Sequence, residues 1–103
     1  SQKLVRLGGK TLLLTHGHKQ RVYWNYDTIS YWAEEQGADV VLFGHTHMPL
    51  WEAGGRVALF NPGSISLPRG GTLPTFGILT MEDGRIEGAI MEYWNKEHFK
   101  RIN

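Results

Sequence analysis

Four of the five histidines form two His-X-His pairs, each placed just after a run of apolar residues. His16 and His18 follow residues 12–14, and His45 and His47 follow residues 40–43 behind Gly44. Imidazole nitrogen is a good ligand for transition metals such as zinc, iron and nickel. In an extended segment residues i and i+2 point to one side, so His45 and His47 could address one metal cluster together. Gly44 is expected to let the backbone turn sharply there.

The alternative for any single histidine is an ordinary hydrogen-bonding role at a strand end. Repetition of the pattern favours a metal or phosphate site, whereas His98, among the charges of the last residues, is expected to be solvated. No Asp or Glu adjoins either pair, although a hydrolytic metal site usually needs an anionic ligand. Either the site is built from histidine alone, or its acidic ligands come from elsewhere.

The elements that must position the histidines are two apolar strands joined by a helix. Asp27 is a suitable N-cap, Ile29, Trp32 and Ala33 share one helical face, and Gly37 predicts the helix end. Continuous apolarity of residues 12–14 and 40–43 predicts parallel strands covered on both faces. Parallel strands end at one edge of a sheet, which is where ligands collect in open α/β sheets.

Three glycine-containing turns predict hairpins around residues 8–9, 54–55 and 83–84. Residues 66–75 read as a loop, and the charged residues from 94 onward as a loosely held tail. The predicted domain covers residues 1–94, and residues 95–103 form the tail.

Composition excludes several classes of protein. The chain has 103 residues, of which 41% are hydrophobic, enough for one domain with a core. A formal charge of +1 indicates neither a nucleic-acid footprint nor a membrane-surface patch, and no apolar run is long enough to span a bilayer. The absence of cysteine favours the cytoplasm.

Three further features have open interpretations. The Asn61-Pro62-Gly63-Ser64 segment could present donors to an anion, or it could be an ordinary turn. Arg69 could reach a phosphate, or it could be an exposed loop residue. The aromatic residues between 23 and 32 could stack on a base, but they suit core packing or an association surface better.

Three motifs in order, Thr15-His16-Gly17-His18, Gly44-His45-Thr46-His47 and Asn61-Pro62-Gly63-Ser64, resemble the calcineurin-like metallophosphoesterases. The resemblance is to the small bacterial and archaeal phosphodiesterases of the YfcE-like subfamily. It implies an α/β fold, the C-terminal half of a two-sheet αββα sandwich, β-rich with one main helix. The family's Asp-X-His, Gly-Asp and Gly-Asn-X-Asp motifs are absent from this sequence.

The resemblance also implies roles for individual residues. His16 and His45 correspond to ligands of one metal, and His47 to a ligand of the other. The bridging Asp, the Asn ligand and the leaving-group acid would lie in the absent half, which would account for the missing carboxylates. His18 corresponds to a position beside the ligands or on the substrate side, and Asn61 and Arg69 are candidates for substrate binding.

The resemblance implies a phosphodiesterase in which a hydroxide bridging two divalent ions attacks phosphorus. Manganese is the first expectation, with nickel, iron, zinc, cobalt or magnesium as alternatives. The substrate would be a small phosphoester, and these 103 residues alone are expected to be inactive and to associate with the missing half or with themselves. The alternatives are a non-enzymatic scaffold of the same fold and a free-standing histidine metal-binding module.

Overall fold

The computed structural model describes residues 2–16, 26–66 and 73–103, which form two β-sheets and a helix. Sheet A has five strands in the order β1-β2-β3-β5-β4, and sheet B has three in the order β6-β7-β8. The elements are β1 (Gln2–Leu7), β2 (Lys10–Thr15), α1 (Asp27–Glu35), β3 (Val40–Leu42), β4 (Leu50–Glu52), β5 (Ala58–Asn61), β6 (Thr75–Glu82), β7 (Arg85–Asn95) and β8 (His98–Arg101).

The predicted crossover unit is confirmed: β2 runs parallel to β3, and β3 runs parallel to β5. Leu14 pairs with Leu42, which pairs with Phe60, so the three strands end at the same level. Side chains alternate between two cores, as the pleat of a strand requires. One face packs on α1 and the other on sheet B. The buried residues of the first core include Leu13, Val41, Leu59, Ile29 and Ala33. Those of the second core are Leu12, Val40, Ala58, Phe60 and Ile90.

Helix α1 begins one residue earlier than expected. Tyr26 is the N-cap, and Asp27 is the first helical residue. The Asp27 carboxylate interacts favourably with the helix dipole, but Asp27 is not the capping residue. The end is as predicted: Gly37 has φ 75°, and the Ala38 N–H donates to the Ala33 carbonyl at 3.0 Å, as in a Schellman motif. Within the described ranges, no helix has the length and apolarity needed to cross a membrane.

The three predicted hairpins are confirmed. The turns at Gly8-Gly9 and Asp83-Gly84 have positive φ at both central residues, between 51° and 77°. Two such residues match the right-handed twist of the flanking strands, which explains why glycine marks these turns. Strands β4 and β5 pair antiparallel across the loop that contains Gly54 and Gly55.

Sheet B approaches sheet A closely because two of its residues are glycines. A Cβ atom at Gly88 would lie 2.5 Å from Cε3 of Trp51, and one at Gly77 would lie 2.6 Å from Cζ of Phe60. The two rings meet edge to face, with centroids 5.5 Å apart. Aromatic rings from sheet A therefore occupy the space that side chains at these glycines would fill.

The C-terminal segment is not loosely held, contrary to expectation. Strand β8 pairs with β7, and the Asn103 side chain continues the ladder beyond it. Its Oδ1 accepts from the Ile90 N–H at 2.9 Å, and its Nδ2 donates to the Gly88 carbonyl at 2.8 Å. Charge alone suggested a tail, but main-chain pairing does not depend on side-chain charge.

Replacing Gly88 with alanine should destabilise the chain by about 1–3 kcal/mol, because the new methyl group would press on the Trp51 ring. Urea denaturation of G88A measures this loss. Gly55→Ala is the matched control, since a Cβ there lies 3.8 Å from its nearest neighbour. Equal stability of G88A and the parent would contradict the described packing.

Candidate metal centre

The ends of three parallel strands meet at one edge of sheet A, and two main-chain hydrogen bonds extend this alignment past the strands. The Gly44 N–H donates to the His16 carbonyl at 2.9 Å, and the Phe43 N–H donates to the Phe60 carbonyl at 3.0 Å. His16 after β2, the turn after β3 and Asn61 at the end of β5 are therefore neighbours, as predicted for carboxyl ends of parallel strands.

His16 and His45 face each other across this edge. Nε2 of His16 lies 3.0 Å from Nδ1 of His45, and the ring centroids are 4.9 Å apart at 69°. One of the two nitrogens carries the hydrogen and the other accepts it. Two nitrogens bound to one ion at about 2.1 Å are separated by about 3.4 Å in tetrahedral geometry and by about 3.0 Å at the right angles of octahedral geometry. The pair therefore has the chemistry and spacing of two ligands of a single metal ion.

The second histidine motif is a strained turn, not the extended segment that the i, i+2 expectation assumed. The Thr46 N–H donates to the Gly44 carbonyl at 2.7 Å, and His45 between them has φ 66°. An i to i+2 hydrogen bond around a residue with positive φ is a feature of the rare classic γ-turn. His47 also has positive φ, 58°, whereas Gly44 does not. The sharp turn is thus made by the histidines, at about 1–3 kcal/mol of strain each.

Asn61 lies behind this turn and is completely buried, with an exposed fraction of 0%. Its Nδ2 donates to the Gly44 carbonyl and to Oγ1 of Thr46, both at 3.1 Å. Its Oδ1 accepts from the Gly63 N–H at 3.0 Å. The side chain that was expected to bind substrate therefore contacts the protein instead and supports the histidine turn from within.

Thr46 was not singled out from the sequence, yet it is the buried centre of the turn, with an exposed fraction of 1%. Its Oγ1 accepts from the Asn61 amide and also from the Met48 N–H at 3.2 Å. Alternation was the available signal: if two histidines face a site, the residue between them faces away from it.

His47 does not join His16 and His45 in one ligand group. In the described ranges, no three His, Asp or Glu side chains come close enough together to hold a metal ion. Asp39 precedes β3, at the opposite end from the histidines, and its Oδ2 accepts from the Thr11 N–H at 2.8 Å. Asp39 therefore cannot supply an anionic ligand at this edge.

The other sequence candidates contribute nothing that the structure describes at this edge. His18 and Arg69 fall outside the described residues. His98 lies on sheet B and is exposed, and its Nδ1–H donates to Oδ1 of Asn95 at 3.0 Å. A cleft of about 580 Å³ borders His16, with Leu14, Leu42 and Pro62 among its lining residues.

Two curated relatives are 40% identical to the chain over the segments that align. One is the probable metallophosphoesterase YsnB of Bacillus subtilis, matched over 80 residues that are 78% of this chain and 47% of the relative. The other is the phosphodiesterase YfcE of Escherichia coli, matched over 75 residues, 73% of this chain and 37% of the relative. The chain thus spans less than half the length of these two relatives.

Solved structures agree with this relationship. A predicted phosphoesterase from Streptococcus pneumoniae superposes with a TM-score of 0.81 at 28% identity, covering 98% of this chain and 60% of that one. A zinc complex of Vps29 from Entamoeba histolytica gives 0.78 at 20% identity, over 99% and 59%, a likeness of fold alone. The family model of the calcineurin-like phosphoesterase superfamily domain matches residues 1–84, and the chain accordingly belongs to this family.

Proposed function

We propose that these residues form the histidine-bearing half of a dinuclear metal-dependent phosphodiesterase. The observation that carries the proposal is the 3.0 Å approach of His16 Nε2 to His45 Nδ1, at the edge where three parallel strands end. His16 and His45 hold one divalent ion, and His47 binds the second. The relative named a phosphodiesterase supports a diester substrate of small size.

Divalent ions at such a site would polarise the phosphoryl oxygens and lower the pKa of water. The work of this half is to present and orient imidazoles: the register of β2 and β3 fixes the distance between the two motifs, and the turn at His45 fixes the ring direction. Manganese remains the first candidate, and nickel, iron, zinc, cobalt and magnesium remain alternatives. A cytoplasmic location belongs to the proposal and rests on composition.

Acidic ligands are expected from a second half, because the described residues form no group of three metal-ligating side chains. In this proposal a separate segment supplies the bridging Asp, the Asn ligand and the leaving-group acid. His18 and Arg69 retain their proposed roles beside the ligands and on the substrate. A scaffold of the same fold would not need two imidazoles at metal-sharing distance, which favours the enzyme over that alternative.

The exposed parts of sheet A support association with that half or with a second copy. Strand β1 lies at the sheet edge, where Leu4 and Leu7 are 48% and 55% exposed. The cleft beside His16 is lined by Leu14 and Leu42, which lie on the face of the sheet that packs on sheet B. An open edge and an apolar cleft are features that proteins usually cover.

Removing one member of the histidine pair should abolish metal binding. We expect His45→Asn to lower the affinity for Zn²⁺ by about 100-fold or more, because a single imidazole cannot chelate the ion. Isothermal titration calorimetry measures the change. His98→Asn is the matched control, since that histidine lies on sheet B. An unchanged affinity in H45N would remove the basis of the proposal.

The 103 residues alone should hydrolyse bis(p-nitrophenyl) phosphate in Mn²⁺ no faster than their own H45N variant. Without a bridging carboxylate the histidines hold one ion at most. The second positive charge, which would stabilise the negative phosphoryl oxygens, is then lacking. Turnover of about 1 s⁻¹ or more would show that a second half is not needed. A longer form carrying the Asp-X-His and Gly-Asp motifs is expected to turn over, and to lose its activity when His45 is replaced.

In solution the chain should be a dimer or larger at micromolar concentration, as measured by light scattering. Leu4→Lys should shift it towards monomer, because a charged side chain on an edge strand opposes further pairing. Gln36→Lys adds the same charge at the exposed C-terminal end of α1 and should leave the distribution unchanged. A monomer in the parent would count against the association.

A further inference from the structure

We propose that Thr46 and Asn61 are positioning residues for the metal site. They hold the turn of residues 44–48 in its strained conformation, so that Nδ1 of His45 lies at metal-sharing distance from Nε2 of His16. The inference rests on the proposed function, because it assigns these two side chains a duty towards the metal. Neither residue contacts the ion.

The turn needs an external support. His45 and His47 both have positive φ, a region that L-residues with a Cβ rarely adopt. Such residues persist where the surrounding structure determines their conformation. The hydrogen bond from the Thr46 N–H to the Gly44 carbonyl lies within the turn itself. It cannot fix the direction in which the turn projects from the sheet.

The Thr46 hydroxyl and the Asn61 amide supply that support. The Asn61 amide donates a hydrogen bond to the Gly44 carbonyl at the start of the turn and another to Oγ1 of Thr46 in its middle. The same Oγ1 accepts from the Met48 N–H, which closes the turn at its far end. Bonds from one buried amide and one buried hydroxyl thus reach residues before, between and after the two histidines.

The support is itself anchored to the sheet. Asn61 is the last residue of β5 and pairs with Leu50 of β4, and its Oδ1 accepts from the Gly63 N–H. Both amide hydrogens of Asn61 are donated within the protein, and its side chain has no exposed surface. These hydrogen bonds orient the residues next to Asn61. They leave the amide no hydrogen to donate to a substrate.

A structural role without consequence for the metal would predict lost stability and unchanged affinity. The experiment therefore measures Zn²⁺ affinity in variants that remain folded, each below its own melting temperature. Thr46→Ala removes the hydroxyl, and Thr46→Ser keeps it while removing the methyl group. Thr75→Ala is the matched control, because Thr75 is equally buried and its hydroxyl donates to the Pro62 carbonyl at 2.8 Å and not to a residue of the turn.

We expect T46A to lower the Zn²⁺ affinity by about tenfold or more, since loss of a group that orients a ligand typically costs about 10–100-fold. T46S should restore the affinity to within about twofold of the parent, and T75A should leave it unchanged; both effects are small beside the loss expected for T46A. Equal affinities in T46A and T75A would overturn the assignment. So would an affinity in T46S as low as that in T46A.

A metal-free readout separates this inference from the proposed function. Nuclear Overhauser contacts between the His16 and His45 rings should be present in the apo parent, in T46S and in T75A, and absent in T46A. If the parent binds no Zn²⁺, the proposed function fails, yet the ring contacts still decide the positioning role. Contacts that persist in T46A would overturn it.

Discussion

The register of three parallel strands is the constraint on which the rest of the chain depends. Leu14, Leu42 and Phe60 lie side by side, so β2, β3 and β5 end together. His16, His45 and Asn61 follow that line after two, three and one residues, respectively. A strand slipped by one residue would exchange the two apolar faces and would also separate the histidines, so core packing and site geometry specify the same register.

The backbone strain at the candidate site is stabilised by buried hydrogen bonds around it. The unfavourable φ values of His45 and His47 are held by bonds of a buried Asn and a buried Thr, and in the described residues no buried side-chain polar atom lacks a partner. The sheet that carries Asn61 is in turn fixed by Phe60, whose ring packs where Gly77 and Gly88 leave room. Strand β5 therefore connects the aromatic packing between the sheets to the candidate site.

Local signals in the sequence were sufficient for most of the fold, because each of them is a backbone requirement. Glycine at 8, 9, 37 and 84 satisfies a positive φ, and continuous apolar runs are typical of strands covered on both faces. Strand β8 escaped prediction because its residues are charged and exposed and its stability comes from pairing with β7 and from the Asn103 side chain. Neither partner is visible in its own sequence pattern.

The site was predictable in place but not in geometry. Two apolar strands ending in histidine predicted the edge, whereas the γ-turn depends on Asn61, which is 15 residues from Thr46. The Asn-Pro-Gly-Ser segment left two interpretations open, an anion-binding turn and an ordinary turn. Its Asn61 side chain is buried, and it donates hydrogen bonds to Gly44 and Thr46 in the histidine turn. Long-range pairing of a polar side chain is not encoded in local spacing.

The Gly44 carbonyl has a consequence for the choice of ion. It accepts hydrogen bonds from both the Thr46 N–H and the Asn61 amide, so both of its lone pairs are engaged. At this point the turn offers an incoming cation imidazole nitrogen and withholds a main-chain oxygen. Hard cations such as magnesium and calcium prefer oxygen, and borderline transition metals accept nitrogen. In the proposed metal site, the nitrogen ligands of this edge would therefore suit a transition metal better than a hard ion such as magnesium.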